Sequence, residues 1–246
     1  MMTKRIDSLI KNTHPQWHSM LREALQEVDE SYLIQLELDK NWLPGIDNLL
    51  AAFSIPLEKT NYLLLGESPY PRPQSANGYA FWDAAVQNLW SDTGLSKEVN
   101  RATSFRNWIK MLLVARGDLQ RDLSQKAIAQ LDKTHFCQTA NDFFKTLVNR
   151  GFLLLNASLV FSNDGIRRHA RQWKPFMNSL LDQLAIYNPS LKLLLFGNIA
   201  KEVPQTKFSS CLIAEHPYNL SFINNPQVLE FFKPLDLLNY ENKTNC

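Results

Sequence analysis

The chain has 246 residues, of which 45% are hydrophobic and 20% are charged, a composition that fits one large domain with a full core. Its 26 basic and 24 acidic residues leave a net charge of +2, too little for the broad basic surface of a non-specific nucleic-acid coat protein. By composition alone, an enzyme without a polyanionic partner is the better interpretation, and any contact with nucleic acid must be local.

The cysteines and the apolar segments exclude other classes of protein. Cys137, Cys211 and Cys246 are odd in number and lack metal-type spacing, so we expect neither a disulfide framework nor a metal site. No apolar run is long enough to span a bilayer, and residues 1–7 contain no apolar signal core. We therefore expect a cytoplasmic protein with no membrane partner.

Helical patterns occur at three places along the chain. The first predicted helix begins near Pro15, because apolar residues recur there at helical spacing, namely Trp17, Met20, Leu21, Ala24, Leu25 and Val28. The second follows a candidate cap at Thr103 and carries Phe105, Trp108, Ile109, Leu112 and Leu113. The third follows Pro175 and carries Phe176, Leu180, Leu181 and Leu184.

Four short apolar runs indicate buried strands of a parallel sheet. They are Tyr62–Gly66, Phe152–Asn156, Leu193–Gly197 and Cys211–His216. Because helical patterns lie between them, the expected fold is α/β, a three-layer α/β/α sandwich with a central, mainly parallel four-stranded sheet. We expect a single domain over residues 1–246, with an N-terminal helical segment, 1–45, packed on it and a frayed polar tail, 239–246.

Polar residues follow the carboxyl end of each predicted strand, the edge at which open α/β sheets bind ligands. Glu67 to Tyr70 follow the first run, and Asn156 ends the second. Gly197 and Asn198 follow the third, and His216 to Asn219 follow the fourth. We expect one pocket to collect all four segments.

Three segments resemble, in order, the motifs of family-one uracil-DNA glycosylases. Residues 66–81, G-E-S-P-Y-P-R-P-Q-S-A-N-G-Y-A-F, are similar without a gap to G-Q-D-P-Y-H-x-P-x-Q-A-x-G-x-A-F. Residues 153–159 are similar to L-L-L-N-x-x-L, and residues 216–221 to H-P-S-P-L-S. The resemblance covers roughly Asn61 to Phe222. It implies the uracil-DNA glycosylase fold, a DNA partner, hydrolysis of an N-glycosidic bond by a monomer, and no cofactor or metal.

The resemblance implies that three residues hold a base flipped out of DNA. Phe81 would stack on the base, Asn156 would read its amide edge, and Tyr70 would exclude a C5-methyl group. An asparagine amide suits a uracil edge, because that edge offers both a carbonyl acceptor and an N–H donor. Stacking of an aromatic ring on an unpaired base contributes about 1–3 kcal/mol.

Further roles are implied for residues that act on the leaving base and on the DNA strand. His216 matches the histidine that donates a hydrogen bond to uracil O2 as negative charge collects there, an effect commonly worth about 3–4 kcal/mol. Leu220 matches the residue that wedges into the base stack. The basic stretch Ile166–Lys174 either adds phosphate contacts or is a solvated helix start. Other phosphate contacts are implied for Ser104, Gly197, Asn198 and Ser221.

Ser68 is the main departure from the family motif, since it stands at the position of the catalytic aspartate and supplies no anion. General-base or charge-stabilising groups contribute about 10²–10⁴ in rate, so we expect weak or altered activity. Glu67 is the candidate carboxylate, because Gly-Glu before a small residue and Pro is similar to a G-E-A-P motif of other superfamily branches. Tyr218, Asn219 and Pro71 also depart from the motifs, which leaves the base open: uracil or a related one.

Two alternatives stay open from the sequence. The missing aspartate also fits a catalytically impaired descendant that binds DNA or a protein partner through the same pocket. A serine hydrolase with Ser68, Asp164 and His216 is disfavoured, because Pro69 has no N–H to donate to an oxyanion hole. Taken singly, Phe81 and the other site residues fit ordinary structural roles, so the prediction depends on their joint order at strand ends.

Overall fold

The computed structural model describes residues 2–163 and 165–240. A central four-stranded sheet and a short two-stranded ribbon are present in this part of the chain. The strands are β1 (Tyr62–Gly66), β2 (Trp90–Ser91), β3 (Gly94–Leu95), β4 (Phe152–Asn156), β5 (Lys192–Phe196) and β6 (Ser210–Ala214). The order in the central sheet is β4-β1-β5-β6, and β2 pairs with β3 in the antiparallel ribbon.

β1 lies between β4 and β5 and pairs in parallel with both, so that Tyr62 is opposite Phe152 on one side and Lys192 on the other. Its residues 63–65, all leucine, are fully buried, as expected for a parallel strand covered on both faces. With helices accompanying this parallel four-stranded sheet, the predicted α/β/α fold is confirmed.

The fourth apolar run differs from its prediction. β6 is half-buried along most of its length, and Ile213 is 40% exposed. The prediction of a buried strand is therefore wrong here. β6 and β4 are the two edge strands of the sheet, and β4 is buried throughout, so incomplete cover of its faces, and not edge position, leaves β6 partly exposed.

Nine α-helices accompany the strands within the described residues. They are α1 (Met2–Ile10), α2 (His18–Gln26), α3 (Glu30–Leu38), α4 (Lys97–Arg101), α5 (Thr103–Arg116), α6 (Gln125–Ala129), α7 (Ala140–Asn149), α8 (Ile166–Tyr187) and α9 (Pro226–Phe232).

The predicted N-terminal helical segment, 1–45, contains α1, α2 and α3, of which only α2 was indicated by an apolar pattern. The helix expected near Pro15 begins as a 3-10 turn, Pro15–Trp17, and continues as α2. α1 precedes it and buries only Ile6 and Ile10, a single apolar i, i+4 pair that gives little periodicity to detect.

Two predicted helix starts are wrong. α5 begins at Thr103 itself, and the capping position belongs to Ala102, which makes no side-chain hydrogen bond. α8 begins at Ile166, which confirms the interpretation of the basic stretch as a helix start, and Pro175 lies inside the helix. Proline removes one helical N–H. α8 nevertheless spans 22 residues in all, with Trp173 and Phe176 on its buried face.

The described chain divides into two compact units. The first unit comprises residues up to Asp83, Arg150–Leu195 and Ile199–Cys211; the second comprises Ala84–Asn149, Phe196–Asn198 and residues from Leu212 onward. Apolar side chains of β1, β4 and β5 form the core of the first unit with α1, α2, α3 and α8. Aromatic rings pack together in the second unit, including Phe105, Trp108, Phe143, Phe144, Phe196, Phe222 and Phe232. The single domain over residues 1–246 stays a prediction.

The start of the predicted polar tail is hydrogen-bonded within the second unit. The backbone N–H of Tyr240 donates to the carbonyl of His135 at 2.8 Å, and Asn239 forms a bridge with Phe136. The frayed tail predicted for 239–246 is therefore wrong at its first two residues, and residues 241–246 lie outside the described part. Within that part, no helix is both long and apolar enough to cross a membrane.

Candidate active site

The carboxyl end of β1 brings two of the predicted base-binding residues together in the first unit. Asn156 pairs with Gly66 in the sheet and is 3% exposed. A Cβ atom added to Gly66 would lie 2.6 Å from Oδ1 of Asn156 and 3.6 Å from Cε2 of Phe81. Both side chains therefore pack against the same glycine, and a larger residue there would displace the Asn156 amide.

Phe81 has a backbone conformation that is unusual for a residue with a side chain. Its φ is +63°, in the left-handed region, where a non-glycine residue costs about 1–3 kcal/mol. The carbonyl of Phe81 accepts a hydrogen bond from Oη of Tyr70 at 3.2 Å, and the N–H of Ala80 donates to the carbonyl of Leu154 at 3.0 Å. Neighbouring contacts thus hold the strained residue, as is typical of functional sites.

An ion pair joins Arg72 and Asp83, which lie on either side of the stretch 73–82 that contains Phe81. Nη2 of Arg72 lies 2.9 Å from Oδ2 of Asp83, whose side chain is buried. Burial raises the pKa of Tyr70 above its ordinary value, the charge of Asp83 adds to this, and Arg72 opposes it. The Tyr70 hydroxyl is therefore neutral at physiological pH and donates its hydrogen bond to Phe81.

Glu67 and Ser68, the candidate catalytic residues of the first unit, line a cavity of about 240 Å³. The lining also includes Arg167 and Lys174 of α8 and apolar side chains such as Met177. Neither Phe81 nor Asn156 is among the described residues that line it. The Glu67 side chain is exposed. The backbone carbonyl of Glu67 accepts a hydrogen bond from the N–H of Ser158 at 2.9 Å.

His216 is oriented by its neighbours in the second unit. A Cβ atom on Gly197, whose φ is +83°, would lie 2.9 Å from Cβ of His216. The backbone N–H of Tyr218 donates to Nδ1 of His216 at 3.1 Å. Because Nδ1 is an acceptor, the proton of the neutral ring lies on Nε2. His216 can then donate a hydrogen bond from Nε2 to an oxygen that gains negative charge.

The segment 216–221 is attached to α5 through a buried amide. Nδ2 of Asn107, which is fully buried, donates to the carbonyls of Pro217 at 2.8 Å and Tyr218 at 3.2 Å. Leu220 is 71% exposed, whereas Phe222 is buried. An exposed leucine on such an anchored turn has the form of an apolar wedge.

The residues predicted to contact phosphate lie at turns and helix starts of the second unit. Ser104 is the second residue of α5, and Gly197 and Asn198 begin a 3-10 turn after β5. Ser221 lies in the 3-10 turn Leu220–Asn224.

Glu215 immediately precedes His216 and interacts with the same segment. Burial opposes ionisation of Glu215, yet hydrogen bonds from Ser221 and Asn225 hold the pKa of its carboxyl below the ordinary value. Ser221, which is a predicted phosphate contact, therefore also donates a hydrogen bond to the Glu215 carboxylate.

The structure adds residues that the motifs did not indicate. Asn107 is a buried amide beside Trp108 on the apolar face of α5, and a polar residue within an apolar stripe is the signal that marks it. Asp83 lies beyond the matched motif and carries no local signal. Asp164, part of the disfavoured hydrolase alternative, lies outside the described residues. Residues 2–163 and 165–240 contain no cluster of three or more acidic, histidine or cysteine side chains able to hold a metal.

Comparison with known proteins decides the family. Residues 54–245 match the sequence profile of the uracil DNA glycosylase superfamily, a range that covers well over half of the chain. This protein belongs to that superfamily. The matched range contains Gly66, Phe81, Asn156 and His216, so the resemblance of the motifs to the superfamily is confirmed.

Solved structures and relatives of known sequence support the same family. The wild-type UNG of Nitratifractor salsuginis is 42% identical, with a TM-score of 0.91 over 97% of this chain and 98% of that chain. The uracil-DNA glycosylase of Chromobacterium violaceum is 27% identical over 85% of this chain and 79% of the relative. That of Corynebacterium glutamicum is 25% identical over 85% of this chain and 81% of the relative.

Proposed function

We propose that this uracil-DNA glycosylase superfamily member flips a uracil or related damaged base out of DNA and hydrolyses its N-glycosidic bond. The observation that carries the proposal is the packing of Asn156 and Phe81 against Gly66. An amide beside an aromatic ring suits a planar base, because the ring can stack while the amide offers both a donor and an acceptor. The activity of the similar glycosylases supports the same reaction.

The strand ends of each unit carry residues suited to the proposed reaction. In the first unit Gly66 and Asn156 end β1 and β4, and in the second unit Gly197 and His216 follow β5 and β6. The carboxyl ends of parallel strands are where α/β sheets bind ligands. In the proposed reaction, water attacks C1′ of the sugar, the base leaves with the electron pair of the C–N bond, and the proton lost by the water ends on the released base. His216 Nε2–H stabilises the base oxygen on which negative charge collects.

The remaining residues take the roles that the motifs imply. Tyr70 excludes a C5-methyl group, and Leu220 fills the space that the flipped base leaves in the stack. Ser104, Gly197, Asn198 and Ser221 contact phosphates. Glu67 supplies the carboxylate that offsets positive charge on the sugar, but its exposure weakens the effect because water screens the charge. We therefore propose weak or altered activity relative to an enzyme with the aspartate.

Formation of abasic sites tests the proposal directly. Single- and double-stranded oligonucleotides with uracil or another modified base are incubated with the protein, and abasic sites are detected by alkaline strand cleavage. We expect cleavage of at least one substrate by the wild type, loss in Asn156→Ala and His216→Ala, and retention in Tyr187→Ala, a control at the exposed end of α8. If no substrate acquires abasic sites, the glycosylase proposal is wrong.

Ser68→Asp tests whether Ser68 occupies the aspartate position. We expect uracil excision to rise at least ~10-fold, a change in barrier of about 1.4 kcal/mol, because the carboxylate supplies the missing anion. Ser68→Asn is the matched control, since it has a similar size without the charge. Equal excision rates for folded Ser68→Asp and the wild type would contradict the assignment.

A second candidate function is a catalytically impaired descendant that binds DNA or a protein partner. The uncharged Ser68 favours it. This candidate predicts tight binding to an abasic-site analogue without excision of any base, and activity that appears only in Ser68→Asp. A cytoplasmic monomer that needs no metal or cofactor stays a prediction under either function.

A further inference from the structure

We propose that Tyr218 stacks on a DNA base next to the extruded nucleotide. The family motif has a small serine at this position, so the contact would be a property of this chain. The inference rests on the proposed function and identifies a further residue that binds the substrate.

The Tyr218 side chain is displayed to solvent beside the predicted wedge. It is 66% exposed and Leu220 is 71% exposed, whereas Phe222 and Ile223, which follow in the same segment, are buried. Single exposed aromatic residues are common on protein surfaces, so exposure alone does not assign a role.

The backbone of Tyr218 is fixed on both sides, which sets this residue apart. Its N–H donates to Nδ1 of His216 at 3.1 Å, and its carbonyl accepts from Nδ2 of Asn107 at 3.2 Å. Asn107 also binds the carbonyl of Pro217 at 2.8 Å, and the N–H of Asn219 donates to the carbonyl of His216 at 2.9 Å. The turn therefore presents the ring in a preset position, and only two side-chain torsions remain to be ordered on binding.

The spacing from Leu220 fits a neighbouring base. Two residues of chain span at most about 7 Å, and successive bases of one DNA strand are about 3.4 Å apart along the axis. If Leu220 enters the gap left by the extruded base, Tyr218 reaches the first base beside that gap. Extrusion exposes the face of that neighbour, and an aromatic ring stacks on any base regardless of its identity.

Binding to a stable abasic-site analogue tests the stacking contact. We expect Tyr218→Ala and Tyr218→Ser to weaken binding at least ~5-fold in fluorescence anisotropy, because base–aromatic stacking is lost, for both single- and double-stranded DNA. Tyr218→Phe keeps the ring and is expected to bind like the wild type. Tyr187→Ala, at an exposed tyrosine of the first unit, is the control for removal of a surface ring.

A fluorescent base separates stacking from a structural role of the turn. With 2-aminopurine beside the abasic analogue, wild type and Tyr218→Phe are expected to quench its emission, whereas Tyr218→Ala leaves it bright. The inference is wrong if Tyr218→Ala binds the abasic analogue and quenches 2-aminopurine as the wild type does. It is also wrong if Tyr218→Phe loses as much affinity and quenching as Tyr218→Ala. If Phe81→Ala and Leu220→Ala still bind more weakly in that case, the proposed function stands. Failure of the wild type to prefer abasic over unmodified DNA would instead reject base flipping.

Discussion

Phe81 and Asn156 show how single residues of the first unit are held in place by the contacts around them. The left-handed backbone of Phe81 is held by the Tyr70 hydrogen bond and flanked by the Arg72–Asp83 ion pair. The Asn156 amide lies where Gly66 leaves room for it. A site that is ordered in advance loses less conformational entropy on binding, so small changes around Gly66 should affect recognition of the base more than folding.

Replacing Gly66 with alanine tests this arrangement. A Cβ atom would lie 2.6 Å from Oδ1 of Asn156 and 3.0 Å from Cβ of Ala80, so we expect the amide to move and excision to fall at least ~10-fold. The measurement is the initial rate of abasic-site formation, together with thermal unfolding to confirm that the variant folds.

Gly117→Ala is the matched control for loss of a glycine. Gly117 ends α5 with φ +89° and has no atom within 4 Å of an added Cβ. Alanine there strains the backbone by about 1 kcal/mol without touching the candidate site. Loss of stability with unchanged excision is expected, and an equal fall in excision for both variants would contradict the proposed role of Gly66.

At the scale of elements, the segment 215–225 is fixed at its two ends and in its middle. Nδ2 of Asn225, the cap of α9, donates to Oε2 of Glu215 at 2.8 Å. Between these two residues, the carbonyls of Pro217 and Tyr218 accept hydrogen bonds from Nδ2 of Asn107 in α5. These contacts keep His216, Tyr218 and Leu220 on one ordered segment, which makes Glu215 a structural residue of that segment.

Glu215→Gln should reveal this role through the pH dependence of stability. Hydrogen bonds lower the pKa of Glu215 below its ordinary value of 4.5, so its charged form stabilises the fold above that pH. The stabilisation is lost as the pH falls from 4.5 through the lower folded pKa. We expect the wild type to have the higher Tm at neutral pH and the difference to shrink below pH 4.5 in thermal unfolding. A difference that stays constant down to about pH 3 would show that the charge of Glu215 does not contribute.

For the molecule as a whole, local sequence predicted the strands and the site motifs, and tertiary contacts decided the rest. Runs such as Tyr62–Gly66 can be predicted from the sequence because a buried parallel strand is continuously apolar. The φ of Phe81 and the amide contacts of Asn107 depend on residues far along the chain, so no local pattern encodes them. The length of α8 was underestimated for the same reason: Pro175 reads as a helix start, and packing of Trp173 and Phe176 lets the helix include it.

The charge of the whole molecule leads to a prediction about salt. Each phosphate neutralised by a cation contributes about −0.9 to the slope of log K against log salt on duplex DNA. The net charge is only +2, and the proposed phosphate contacts, Ser104, Gly197, Asn198 and Ser221, are uncharged. We therefore expect the affinity for duplex DNA with an abasic analogue to fall less than ~100-fold between about 50 and 200 mM salt. A protein that makes about 6–10 charged phosphate contacts would lose about 10³–10⁵-fold in affinity over the same range. Anisotropy titrations at several salt concentrations measure the slope, and a fall above about 10³-fold would mean that a broad basic surface, including the arginines of α8, holds the DNA.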